Sequence, residues 1–381
     1  MKKIAFFDLN IIGIGRYPLK IAKEIEKEND NVEFYFLYEE DPDNKIDEIK
    51  EVLPIKSQLI RIKKPNYRYL KNLMQEINPD SFLVMAQRIP DSALVSVAND
   101  LGIKTFKFQH GLYIPFMKRN ISMLVSKITK TVRYLRYSLV IAEAIKENKI
   151  RILKEYINIF LRGKKITHTN LPLNKINVNT VFVYGEYWKQ YHNEEFGYSY
   201  EQQIIVGYPD LMQLEEIKQR KKEDAICYIC QTLVEDGRLK REQMEEFINV
   251  ISENIGDKKL YIKLHPRSDM TLYKLLQHRK NIIFVKTDFP HCSKYIGHYS
   301  SMLAIAMYLT DDIFLWKFEN HNEYPFYLVQ NSKYLSNNLN DFLQFMNINK
   351  KTVINQNDIE KYFMYSNNPS NVISKYMMRN I

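Results

Sequence analysis

Short apolar runs alternate with amphipathic stretches from the start of the chain, the pattern of βα units laid along a parallel sheet. Lys3 to Leu9, Val32 to Tyr38, Gln58 to Ile62, Phe82 to Ala86 and Lys104 to Phe108 read as strands. Between them, apolar residues recur at helical spacing over Tyr17 to Asn29, Ile46 to Leu53, Tyr67 to Ile77 and Asp91 to Leu101. The alternation then breaks. Ile121 to Leu161 holds neither Gly nor Pro, and Lys and Arg interleave its apolar positions, so one or two long amphipathic helices are expected there. Thr180 to Tyr184 and Gln203 to Val206 resume the strands, with a helix around Trp188 to Glu195.

A charged stretch, Leu211 to Asp224, reads as a connection, and a second set of units follows it. Its expected strands are Ala225 to Cys230, Lys259 to Leu264, Asn281 to Val285 and Asp312 to Trp316. Its expected helices are Lys240 to Asn254, Leu272 to Arg279, Ser301 to Leu309, Asp341 to Met346 and Ile359 to Met378. The predicted fold class is α/β, with two Rossmann-like parallel-sheet domains facing a central cleft and a basic helical insertion in the first. At 381 residues the chain is about twice a typical domain, which agrees. The expected division is 1–213 with the insertion at about 115–165, then 214–355, then a C-terminal helix over 356–381 that is a candidate for packing back on the first domain.

Charge sharpens this picture more than overall composition does. The formal net charge is +10, and residues 118–165 carry thirteen Lys or Arg against three Glu, so the rest of the chain is close to neutral. Three readings of that segment compete: a solvated helical face, a nucleic-acid surface, or attachment to an anionic membrane. No nucleic-acid-binding module accompanies the charge, so no nucleic-acid partner is expected. Basic residues interleaved with Leu135, Leu139, Ile152, Tyr156 and Phe160 suit an anionic leaflet. No run of about 18 uncharged apolar residues is present, so no segment is expected to span a bilayer. Ile4 to Leu9 is too short for a signal peptide and contains Asp8, and three cysteines are too few to staple the fold. The expected location is cytoplasmic, held peripherally at the inner face of the cytoplasmic membrane.

Candidate chemistry clusters in the second half, at strand ends, where open parallel sheets bind ligands. Glu235-Asp236-Gly237 follows the strand closing at Gln231 and puts a carboxylate where a general base is wanted; a helix-entering loop explains it as well. In Lys263-Leu264-His265-Pro266-Arg267 the proline stops the strand, and the imidazole has a proton to lend near neutral pH. Gly297-His298-Tyr299-Ser300-Ser301 precedes an apolar stretch, and paired serines beside a helix start suit a phosphate, although N-capping alone explains one of them.

In that order these three motifs resemble those of bacterial GT-B sialyltransferases, and the lipooligosaccharide sialyltransferases above all. The resemblance covers about seventy residues of the second half. It implies that 214–355 is a nucleotide-sugar-binding domain and 1–213 the acceptor side. Asp236 would deprotonate the acceptor hydroxyl, His265 would assist departure of CMP, and Ser300 and Ser301 would hold its phosphate. Gln231, Lys263, Pro266 and Arg267 would complete the nucleotide site. The implied reaction is a single inverting displacement without a metal or any cofactor besides the nucleotide-sugar donor. Its acceptor would be a surface glycan or lipid-linked glycan.

In the first half, Gln109-His110-Gly111 ends a strand and resembles a His-Gly of teichoic-acid polyol-phosphate polymerases, so His110 competes with Asp236 as the base. Gly13-Ile14-Gly15-Arg16 resembles a glycine-rich turn, with Gly13, Gly15 and Gln109 as acceptor-side candidates. Cys227 and Cys230 read as core residues and Asp41-Pro42-Asp43 as a surface turn, so no metal site is expected. The alternatives that stay open are a CDP-polyol phosphotransferase, a UDP-sugar enzyme, and a non-catalytic membrane- or nucleic-acid-binding protein.

Overall fold

Apolar runs without polar alternation belong in a sheet covered on both faces, and those of the first half assemble into one. In the computed structural model every residue is described except 42–43, 110, 113–127, 319–323, 331, 333 and 348–355. The first sheet comprises β1 (Lys2–Phe7), β2 (Val32–Tyr38), β3 (Ser57–Arg61), β4 (Ser81–Val84), β5 (Lys104–Phe108), β6 (Thr180–Val183) and β7 (Gln203–Ile205). The second comprises β8 (Glu223–Ile229), β9 (Leu260–Lys263), β10 (Ile282–Val285), β11 (Cys292–Gly297), β12 (Ile313–Trp316) and β13 (Tyr334–Ser336). All their pairings are parallel, in the orders β3-β2-β1-β4-β5-β6-β7 and β10-β9-β8-β11-β12-β13. Each sheet therefore grows outward from its first strand, returns beside it and grows the other way, which is the doubly wound Rossmann order. The switch point lies between β1 and β4 in one sheet and between β8 and β11 in the other.

The chain forms two compact units, one of Met1–His110, Phe116–Pro209 and Ser366–Ile381, the other of Gly111–Pro115 and Asp210–Tyr365. The handover thus falls at Pro209 rather than 213, and the second unit runs on to Tyr365 rather than 355. Two strands, β11 and β13, have no counterpart in the sequence reading. The first is disguised by Lys294 at its centre. That side chain is buried, and its ammonium donates to the carbonyls of Phe345 and Met346 at 2.7 and 3.0 Å, at the end of the helix Leu339–Asn347. The helix expected over Leu272 to Arg279 is a short 3-10 turn, Met270–Tyr273, followed by further turns. The one expected over Ile359 to Met378 is divided, because Pro369 starts a fresh helix, Pro369–Arg379, behind an Asn368 cap.

In the first unit, α1 (Ile11–Arg16) and α2 (Pro18–Glu28) follow β1, α3 (Tyr67–Ile77) follows β3 and α4 (Ile89–Asp100) follows β4. The basic insertion contributes α5 (Ile128–Ala144) and α6 (Lys149–Arg162), and α7 (Glu186–Phe196) follows β6. One face of α5 is core: Tyr137 and Ile141 are fully buried, the Tyr137 hydroxyl donates to Glu39 at 2.9 Å, and Arg133 pairs with Glu40. Ile152 and Tyr156 of α6 are buried as well, which removes them from the expected membrane-facing set, whereas Leu135 and Leu139 are exposed. Phe160 is in α6, but its side chain, like residues 118–127, lies outside the described residues.

The C-terminal helix Pro369–Arg379 belongs to the first unit and lies against α2, where Asn371 donates to Glu24 at 3.3 Å. Tyr376 sets its ring edge-on to Phe106 and Phe182, and Ile373 and Met377 are fully buried. Truncating Ile373→Ala removes a buried side chain worth about 2–5 kcal/mol. In hydrogen exchange the amides of β5 and β6 then lose protection while those of β8 and β11 keep theirs. Equal loss in both sheets would place the helix in a different unit.

Candidate functional site

The switch point of the second sheet sits between β8 and β11, with β9 on the other side of β8. The loops leaving these three strands are therefore neighbours at one edge, and they carry the three motifs. A direct bond closes the gap itself: the Tyr299 backbone N–H donates to the Gln231 side-chain carbonyl at 3.2 Å. Residues 233–239 after β8 form tight turns, and Gly237 adopts φ +66°, the left-handed region that suits glycine.

Arg267 does most to bring the motifs together. Its backbone N–H donates to His265 Nδ1 at 3.1 Å, while its guanidinium donates to Asp236 at 2.9 Å and to Thr232 Oγ1 at 3.2 Å. With Nδ1 accepting, the neutral His265 ring carries its proton on Nε2. Pro266 has its reason too: the Ser268 N–H donates to the His265 carbonyl at 2.9 Å, and proline suits the second position of such a turn. The turn is locked from the other side by the His265 N–H donating to Ser268 Oγ at 3.0 Å. The loops after β8 and β9 are joined once more where the Asp269 N–H donates to Glu235 at 2.7 Å.

Asp236 is pulled two ways. Burial pushes its carboxyl up, but the Arg267 hydrogen bond and charge, the Thr232 hydroxyl at 3.1 Å and Arg238 at 3.6 Å outweigh that and hold it below the usual carboxylate range. Two partly exposed guanidiniums share this one carboxylate and can both turn to an anionic ligand, while Glu235 beside them is committed to the Asp269 N–H. Arg238 also reaches toward the third loop, where its charge acts on the Tyr299 side chain.

The serine turn is built on a close approach. A Cβ on Gly297 would meet the Leu303 side chain at 3.0 Å, so glycine lets the chain fold back directly after β11. Ser300 is buried and its hydroxyl accepts from the Met302 N–H at 3.3 Å. The helix that follows, α8 (Leu303–Met307), is shorter than expected, and Ser301 lies in the turn ahead of it. Beneath the turn, His298 is wholly buried with Tyr228 Oη at 3.0 Å from Nε2 and the Trp316 carbonyl at 3.1 Å from Nδ1. This imidazole anchors the loop and is not offered to a ligand.

Lys263 also turns away from a ligand role. It is buried, its ammonium donates to the carbonyls of Lys286 and Thr287 at 2.6 and 3.2 Å, and burial pushes it below its usual value. Cys227 and Cys230 are free and buried. Thr232 and Arg238 also belong to the site and stand outside the motifs read from the sequence, and the bond from Arg267 to Thr232 joins residues 35 positions apart.

In the first unit the acceptor-side candidates serve packing. Gly13 and Gly15 lie within α1 rather than in a phosphate turn; a Cβ would meet the Asp8 carboxylate at 2.4 Å and Ile49 at 2.6 Å, respectively. Gln109 is fully buried, with its side chain accepting from the Tyr184 N–H at 3.3 Å. His110 and the Pro42 and Asp43 of the acidic turn lie outside the described residues. What this sheet does place at its switch point is Arg88, which bonds Asp91 at 2.6 and 2.9 Å and Asp8 at 3.2 Å.

The sequence matches no family model and no curated protein. Solved structures do match over the full chain. The UDP-GlcNAc 2-epimerase of Methanocaldococcus jannaschii is 13% identical with a TM-score of 0.56, each chain covered to 100%. The Neisseria meningitidis UDP-GlcNAc 2-epimerase, solved bound to UDP-GlcNAc, is 12% identical with a TM-score of 0.55, again covering 100% of both. The calicheamicin glycosyltransferase CalG4 is 10% identical with a TM-score of 0.52, over 99% of this chain and 98% of that one. The chain has the GT-B fold, two parallel-sheet Rossmann-like domains, which its structural neighbours among glycosyltransferases and UDP-GlcNAc 2-epimerases share.

Proposed function

We propose that the chain is an inverting, metal-independent glycosyltransferase whose second unit holds a nucleotide sugar, with CMP-sialic acid as the donor. The acceptor on this reading is a cell-surface glycan of the lipopolysaccharide, O-antigen or capsule kind, met at the cytoplasmic face of the membrane. The observation that carries the reading is Arg267, which touches His265 and Asp236 at once beside the switch point of the second sheet. The acceptor oxygen attacks the anomeric carbon and its proton passes to Asp236. The bond between that carbon and the CMP oxygen breaks, and CMP leaves with the electron pair while the His265 Nε2–H donates a hydrogen bond to its phosphate oxygen. Ser300 and Ser301 hold the phosphate, and Arg238 and Arg267 offset its charge.

A second reading is a UDP-sugar enzyme on the same fold, favoured by the neighbour solved with UDP-GlcNAc. A CDP-polyol phosphotransferase is a third, with His110 as its base.

CMP raises the melting temperature on the leading reading, and UDP, CDP and GDP do not. A shift with UDP or CDP instead transfers the donor assignment to the corresponding alternative, and no shift with any of the four removes the nucleotide site. Asp236→Ala and His265→Ala each lower kcat by about 10²–10⁴ with the circular dichroism spectrum unchanged. Wild-type turnover in either variant takes that residue out of the chemistry.

Because Arg267 holds the Asp236 carboxyl low, the acid limb of kcat/KM falls below the usual carboxylate range. Arg267→Ala lets the carboxyl rise, so activity is lost at a higher pH than in the wild type. An acid limb that stays in place in Arg267→Ala assigns it to another group.

A further inference from the structure

A groove of about 450 Å³ runs on the first unit between the start of α3 and the exposed side of α5. Its walls include Lys64, Tyr67, Arg136, Leu139, Val140 and Glu143. The size falls within the roughly 300–1,000 Å³ of small-ligand pockets, and its chemistry is divided. Leu139 and Val140 supply an apolar floor, and Leu139 is 39% exposed. The Tyr67 ring is a fixed wall, since its hydroxyl donates to Asp100 at 2.7 Å and receives Lys71 at 2.9 Å.

The charges decide what fits. Glu143 is paired with Lys149, which offsets the one acid in the lining. Lys64 and Arg136 have no such compensation: among the described residues neither makes an ion pair or a hydrogen bond, and Arg136 acts on Glu39 only through its charge. Continuing along α5, Val132 and Leu135 are 41% and 38% exposed, two and one helical steps before Leu139 on the same side. Uncompensated cations beside an exposed apolar stripe match a surface that is anionic above and hydrocarbon below.

We propose that this groove binds the phosphate headgroup of an anionic phospholipid, with Val132, Leu135 and Leu139 meeting the acyl boundary. The contact is peripheral, because among the described residues no helix is long and apolar enough to cross a membrane. It deepens the membrane part of the proposed function and is independent of the donor, so either can fail alone.

The test is co-sedimentation of the full chain with phosphatidylglycerol vesicles and with phosphatidylcholine vesicles. Wild type binds the former, less so at high salt. Lys64→Glu/Arg136→Glu weakens that binding by about tenfold or more, with CMP-induced melting shifts unchanged. Lys274→Glu/Lys280→Glu, two exposed lysines of the second unit with the same change in net charge, binds like wild type. If the first pair fails to fold, Lys64→Gln/Arg136→Gln is read in its place. Four results overturn the proposal: no preference for anionic vesicles, unchanged binding in the groove variant, equal loss in both pairs, or a groove-dependent melting shift with inorganic phosphate or duplex DNA without vesicle binding.

Discussion

In a doubly wound sheet, the connections of two adjacent strands turn to opposite faces and leave a gap above their carboxyl ends. In the second unit that gap lies between β8 and β11, and the bond from the Tyr299 N–H to Gln231 spans it. The other features of the site follow from the need to hold three loops around that opening. Gly297 lets one loop fold back on Leu303, Pro266 fixes the turn that aims Arg267, and Gly237 allows the tight turn beside Asp236. His298 is spent on Tyr228 and Trp316 below, which gives the serine turn a rigid base.

A formal charge of +10 overstates how much positive charge is available to a ligand. An ammonium leaving water needs partners, and several basic residues here have found them in the protein. Lys263 holds the carbonyls after β10, Lys294 those at the end of a helix, and Lys107 reaches Gln87 at 2.6 Å between the rings of Phe196 and Tyr198. Arg88 is committed to Asp91 and Asp8. These are fold-building cations. Other basic residues face solvent beside a candidate site, Arg238 and Arg267 at the strand ends of the second unit and Lys64 and Arg136 along the groove of the first.

The sheet architecture was legible because buried parallel strands are written as near-continuous apolar runs, as in Val32–Tyr38 and Ile313–Trp316. A polar residue doing structural work inside a strand weakens that signal: Lys294 hid β11, although Lys107 left β5 readable. The glycines of Gly13-Ile14-Gly15 look like a phosphate turn because local sequence cannot tell a backbone nearing a ligand from one nearing Asp8 or Ile49. The amphipathic pattern of α6 likewise showed which residues share a face, but not that Ile152 and Tyr156 turn toward the core. Of the site, the motif order could be read, because each motif is local. The bonds that make it a site could not: Arg267 and Asp236 are 31 positions apart, and Gln231 and Tyr299 are 68 apart.

On the proposed reading, Arg267 has two anions within its reach. Its bond to Asp236 offsets that charge, which keeps the carboxylate ionised and makes it a weak base. A leaving phosphate gathers charge as the glycosidic bond lengthens and competes for the same guanidinium. As Arg267 shifts toward that phosphate its hold on Asp236 loosens, and the basicity of the carboxylate rises with the loss of the partner. A proton acceptor that strengthens as the leaving group departs is matched in timing to an inverting displacement, where both happen in one step. A base with no charge partner, such as a lone imidazole, would have no such coupling to bond cleavage.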